Sequence, residues 1–275
     1  MLGGGGGPFG AHEVGMLRAL IERRIVPDLV LGTSVGAING VAIAADPTAA
    51  GIERLSAAWT DIDRSKVFDA SVVRQLATLA RTRTHLHGNA SLCRMLTELL
   101  PVSRIEDLAV PFQCVAASIE RASEHWFADG PIVPAVVASA SVPGLLAPVL
   151  IAGEHFIDGG VVNSIPLSRA IALGAQQVFV LHVGRLDRPL EPPRSPWEVG
   201  LVAFEIARRH RFVGDLATVP SGVEVHVLET GQQAPPRFTD RSQFSYRDTT
   251  SVNERIGRAD EASGRYLDEN GLRGR

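Results

Sequence analysis

Leu31-Gly32-Thr33-Ser34-Val35-Gly36 decides how the rest of the chain is read: it is a G-x-S-x-G between a short apolar run and a helix of small residues. The run Asp28–Leu31, preceded by Pro27, suits a buried strand, and Ala37, Ile38, Val41, Ala42, Ile43 and Ala45 suit a tightly packed helix. So sharp a strand-to-helix turn needs Gly32 and Gly36 on its flanks, because a Cβ at either would collide with neighbouring elements, and it lifts the Ser34 hydroxyl clear of the sheet. The following helix points its N-terminus at that oxygen, where its partial positive charge favours a developing alkoxide or oxyanion. Ser34 is therefore a candidate nucleophile, although the motif alone also describes a glycine-lined turn in any α/β protein.

Composition bounds the answer. A chain of 275 residues that is 45% hydrophobic has enough apolar mass for a substantial core, and one domain over residues 1–275 is expected. A formal charge of −3 offers no field for nucleic acid, and Lys66 as the only lysine among many arginines is a compositional bias and not a function. With only Cys93 and Cys114, no disulfide framework is indicated and a reducing compartment is the simpler expectation. Only Met1 and Leu2 precede the first glycines, so no secretory signal is expected and the reading is cytoplasmic, compatible with peripheral contact at a membrane. The uncharged stretch from Pro131 to Gly153 is interrupted by Pro134, Pro143 and Pro148; it reads as buried loop and short helix, not as a membrane span.

Ahead of the elbow runs Gly3-Gly4-Gly5-Gly6-Gly7-Pro8-Phe9-Gly10, which either cradles an anion with backbone N–H groups or turns the chain. Residues 5–10 fit the dinucleotide pattern G-x-G-x-x-G, but the acid that would bind ribose, Asp28, stands before the second strand and not at its end. A helix follows with Val14, Leu17, Leu20 and Ile21 on one face and Arg18, Glu22 and Arg23 on the other. Residues 1–36 are thus strand, glycine loop, helix, strand and elbow. A right-handed βαβ unit brings both strand ends to one sheet edge, so the glycine loop and Ser34 meet, as backbone donors and nucleophile must for acyl transfer.

Residues 48–110 read as a helical, cap-like region in which Ile52, Leu55 and Trp59 share one face and Leu92, Met95, Leu96 and Leu99 another, as core or as the lining of an acyl pocket. Pro111–Ser118 and His125–Phe127 form a strand pair, and a charge-free Ala138-Ser139-Ala140-Ser141-Val142-Pro143-Gly144 leads to His155-Phe156-Ile157-Asp158-Gly159-Gly160. Asp158 stands at a strand's C-terminal end, the position of a site residue in a parallel sheet; Asp-Gly is equally an ordinary turn. A helix over Leu167–Leu173, a strand over Gln177–Val183, an exposed flap from Arg185 to Trp197, a helix from Trp197 to Ala217, a strand over Val223–Leu228, a loop at Ala234-Pro235-Pro236 and a helix striped by Val252, Ile256, Ala259, Ser263 and Tyr266 complete the chain. The alternation supports an α/β fold with a central, mostly parallel sheet.

Taken in order, the glycine loop, the elbow and Asp158-Gly159-Gly160 resemble the patatin-like phospholipases, the lipid acyl hydrolase family. The likeness covers residues 1–47 and 136–183 closely and the middle and C-terminal portions (about 197–270) loosely. It extends to Gly15-Met16-Leu17-Arg18-Ala19-Leu20, Pro27-Asp28, Gly36-Ala37-Ile38-Asn39-Gly40, Ala140-Ser141-Val142-Pro143-Gly144 and Asp158-Gly159-Gly160-Val161-Val162-Asn163. The resemblance implies a three-layer α/β sandwich and a Ser34–Asp158 dyad without histidine. It further implies an oxyanion hole from Gly4, Gly5, Gly6 and Gly7, no metal or cofactor, and a lipid or ester substrate. Two departures stand out: Phe9 where most family loops have a basic residue, and only Met1 and Leu2 where a longer first strand is expected, so that the strand either is a stub or starts further upstream. Two rival readings remain: a Ser–His–acid esterase using His182 or His210, and an acyl- or lipid-binding protein with little turnover.

Overall fold

The computed structural model describes residues 1–4, 10–64, 84–183, 190, 192–194, 196–228, 230–231 and 249–274. Gly5, Gly6, Gly7 and Phe9, most of the flap from Arg185, and Ala234-Pro235-Pro236 lie outside them. The strands are β1 (Leu2–Gly4), β2 (Val30–Thr33), β3 (Phe112–Ser118), β4 (Ser123–Phe127), β5 (Val149–Ile151), β6 (Glu154–Asp158), β7 (Gln177–His182) and β8 (Glu224–Leu228). The helices are α1 (Gly10–Glu22), α2 (Val35–Ala45), α3 (Ala49–Arg64), α4 (Ala90–Leu99), α5 (Ile132–Ser139), α6 (Leu167–Ala172), α7 (Pro196–Ala217) and α8 (Thr249–Glu269).

The strands form one eight-stranded sheet in the order β5-β6-β3-β2-β1-β7-β8, with β4 on β3. Pairing is parallel from β3 through β8 and antiparallel at β3–β4, β3–β6 and β5–β6. Side-chain alternation divides the sheet into two cores. Val30, Phe112, Cys114, Phe179 and Leu181 face α1, α2, α3, α4, α5 and α8, whereas Leu31, Val178 and Val180 face Leu167 and Ala170 of α6 and Phe212 of α7. This is a three-layer α/β sandwich. Ile52, Leu55, Trp59, Leu92 and Leu96 are buried in the larger core, with Met95 and Leu99 packed against it, so these stripes are core.

Two of these readings change, those of α1 and of β6, and the first strand is a stub. α1 is not half-exposed: nearly every residue from Gly10 to Leu20 is buried, because α8 packs along it so closely that a Cβ on Gly15 would lie 2.1 Å from the Ile256 carbonyl oxygen. β1 has only three residues, yet it is a central strand paired on both sides. Finally, β6 does not run with the parallel strands but against β3, with consequences for the site.

Candidate active site

The pairing of β3 brings the two candidate catalytic residues together. β4 occupies one edge of β3 over Cys114–Ser118. β2 and β6 therefore share the opposite edge, β2 along Phe112–Val115 and β6 along Ala116–Ser118. Because β2 runs parallel to β3 and β6 antiparallel, they meet head-on: Thr33 pairs with Val115 and Asp158 with the next residue, Ala116. One strand residue advances about 3.3 Å, so the chain leaving β2 at Ser34 faces the end of β6. After Asp158 the chain crosses directly over β3, where a Cβ on Gly159 would sit 2.2 Å from the Val115 carbonyl oxygen. Gly159 is needed for that crossing.

At the elbow, a Cβ on Gly32 would lie 2.5 Å from the Ala37 Cα, and one on Gly36 would lie 2.1 Å from the Gly3 carbonyl carbon. The two glycines let β1, β2 and α2 converge. Ser34 itself has φ 57° and ψ −123°, left-handed backbone that costs a non-glycine residue on the order of 1–3 kcal/mol. Its carbonyl accepts the first N–H groups of α2, from Ala37 at 2.9 Å and Ile38 at 3.3 Å, and its own N–H donates to Ser139 Oγ at 3.0 Å. Thr33 Oγ1 donates to the Asn163 carbonyl at 2.9 Å, tying the elbow to the turn that follows Asp158.

Asp158 is fully buried. Its Oδ1 accepts the Gly160 N–H at 2.7 Å, and its N–H donates to the Ser141 carbonyl at 2.9 Å. Burial raises its pKa to about 6, against the stabilising pull of the Ser34 hydroxyl, the Gly160 N–H and, more distantly, Arg208. Oδ2 is buried and makes no hydrogen bond among the described residues, while the Ser34 side chain is close enough to pull the carboxyl's pKa down. No histidine is among the groups that set this carboxyl. His182 ends β7 beside Gly4 and stacks on Phe212 with ring centroids 5.8 Å apart, and His210 is exposed on α7. The triad reading gains nothing from either.

Gly4 pairs with Thr33 on one side and His182 on the other, so the glycine loop leaves the sheet next to the elbow. Gly5, Gly6 and Gly7 lie outside the described residues. Past the loop, at Gly10, the described residues fasten the start of α1 through amide and indole donors. Asn39 Nδ2 donates to the Gly10 carbonyl at 3.0 Å and to Glu13 Oε2 at 2.8 Å, and Trp59 Nε1 donates to Asn39 Oδ1 at 2.7 Å. This buried network and the roles of Ser139, Ser141 and Asn163 were not singled out from sequence; the one available signal was uncharged polar residues inside otherwise apolar, small-residue segments.

α7 closes the far side of the turn over Gly159–Val161. A Cβ on Gly160 would lie 3.0 Å from the Phe204 ring. Arg208 Nε donates to Ser164 Oγ at 2.8 Å and its Nη1 to Glu205 Oε2 at 3.0 Å.

The Patatin-like phospholipase profile matches residues 2–171, from β1 to α6. The chain belongs to the patatin-like phospholipase family. A patatin-like phospholipase domain-containing protein of Caenorhabditis elegans is 34% identical over 187 residues, 67% of this chain and 16% of that protein. A lysophospholipase of Mycosarcoma maydis is 30% identical over 187 residues, 67% of this chain and 10% of that protein. The chain thus spans a small fraction of these relatives. Among solved structures, VipD of Legionella pneumophila aligns over 97% of this chain and 66% of its own, at 15% identity and a TM-score of 0.44. α7, β8 and α8 lie beyond the residues matched by the family profile.

Proposed function

We propose that this chain is a metal-independent serine hydrolase of lipid carboxylic esters, with Ser34 as nucleophile and Asp158 as its base. The observation that carries the reading is the head-on meeting of β2 and β6 on one edge of β3, which sets a buried carboxyl of pKa about 6 against the serine of a strained elbow. Ionised Asp158 takes the Ser34 proton as Oγ attacks the ester carbonyl. The tetrahedral oxyanion is held by backbone N–H groups of the loop from Gly4 to Gly7 and favoured by the α2 N-terminus; one such donor is worth about 3 kcal/mol of barrier. Asp158 returns the proton to the departing alcohol, and the ester C–O bond breaks to leave acyl-Ser34. A water, deprotonated by the same carboxylate, then releases the fatty acid and restores Ser34. No metal or cofactor takes part in this scheme.

Phospholipids and lysophospholipids are the substrate class suggested by the names of the relatives. The test is turnover of lysophospholipid micelles and of a short-chain aryl ester by the wild type, Ser34→Ala and Asp158→Asn. The expected result is hydrolysis by wild type, unchanged by a chelator, and a loss of at least about a thousandfold in each variant. Wild-type rates in either variant would overturn the dyad.

A further inference from the structure

We infer that Ser139 is a positioning residue of the Ser34–Asp158 pair, its hydroxyl holding the strained elbow while the carbonyl of Ser141, two residues on, holds the base. The inference rests on the dyad reading above.

Both backbone polar groups of Ser34 are tied down. α2 takes the carbonyl, and Ser139 Oγ takes the N–H at 3.0 Å. The second tie is a side chain and therefore depends on sequence. Two residues further on, the Ser141 carbonyl accepts the Asp158 N–H at 2.9 Å. The segment is itself fixed: Ser141 Oγ donates to the Val137 carbonyl of α5 at 2.7 Å, and Ser139 and Ser141 are fully buried. Ser139-Ala140-Ser141 is thus a short strut from the amide of the nucleophile to the amide of the base. Its length sets how far Ser34 Oγ stands from Asp158. A serine at the last position of a buried, apolar helix has no packing advantage over alanine, whereas its hydroxyl supplies the acceptor that the Ser34 N–H would otherwise lack. Without it the elbow relaxes from its left-handed backbone, and a displacement of about an ångström at a reacting atom costs about a hundredfold in the chemical step. Ser139 is fully buried and its hydroxyl is engaged by the Ser34 N–H, so its loss is expected in kcat and not in KM.

The test measures kcat and KM for a soluble ester in Ser139→Ala, Ser139→Thr and Ser139→Val, alongside wild type and Ser34→Ala, with thermal unfolding of each. Thr and Val add the same bulk and differ only in the hydroxyl. The expected result is a ten- to hundredfold fall in kcat for Ser139→Ala at unchanged KM, with Ser139→Thr at least tenfold faster than Ser139→Val. If the two bulkier variants do not fold, Ser139→Ala against wild type decides. A wild-type kcat in Ser139→Ala, with Ser34→Ala inactive, overturns the positioning role and leaves the dyad standing; activity persisting in Ser34→Ala removes both.

Discussion

Burial raises the Asp158 carboxyl to about pH 6, and this single shift has two measurable consequences of opposite sign. A base must be ionised, so kcat/KM falls as pH drops through about 6, and a pH–rate profile should show its acid limb there. Stability runs the other way. The folded pKa lies above the ordinary value of 3.8, so folding costs nothing extra below about pH 4, the penalty grows as the pH rises toward 6, and it is complete above that. Its size is on the order of 3 kcal/mol. Asp158→Asn keeps an oxygen for the Gly160 N–H and removes the charge. The variant should therefore unfold at a higher temperature than wild type at pH 8, and the two should converge near pH 4. Parallel melting curves across that range would contradict the shift. Ser34 and Asp158 stand out in the sequence as candidates because each sits in a short motif whose spacing is local. Ser139, Asn39 and Asn163 do not, because their partners lie 105, 29 and 130 residues away or less conspicuously on another element.

The elements converge where glycines permit it, and the same residue type is wasteful elsewhere. Gly36→Ala would drive a methyl into the Gly3 carbonyl, and Gly159→Ala into the Val115 carbonyl; neither neighbour is a flexible side-chain tip. Each substitution should destabilise the fold by several kcal/mol and abolish activity, read by denaturant unfolding and ester hydrolysis. Gly257 of α8 has open space around its Cβ position, so Gly257→Ala should raise stability by about 0.5–1 kcal/mol through helix propensity alone. The elbow, the parallel β1–β2 pair and the late strands β7 and β8 follow from apolar runs and turn residues. The antiparallel course of β6 does not: the short, three-residue β5 gives no period to count, and direction depends on which edge of β3 is still open after β2 and β4 have paired.

At the scale of the whole molecule, the segment beyond the family match is part of the core. α8 lies along α1 through Gly15 and the buried Ile256, Ala259 and Leu267, and Arg23 grips Asp268 with Nε at 3.0 Å and Nη2 at 2.7 Å. α7 walls the turn after Asp158 with Phe204. That α1 is buried on nearly all sides was hidden in its own two-faced pattern, since the covering helix is some 240 residues downstream. Removing residues 249–275 should expose the apolar surface of α1 and abolish cooperative thermal unfolding; a truncated chain that melts like wild type would contradict this. Among the described residues no helix is long and apolar enough to cross a membrane. The proposed function requires an activated serine that depends on Asp158. The most direct test is intact mass after reaction with a fluorophosphonate, on wild type, Ser34→Ala and Asp158→Asn. One adduct is expected on wild type and none on either variant; an adduct on Ser34→Ala, or labelling of Asp158→Asn at the wild-type rate, would contradict the dyad.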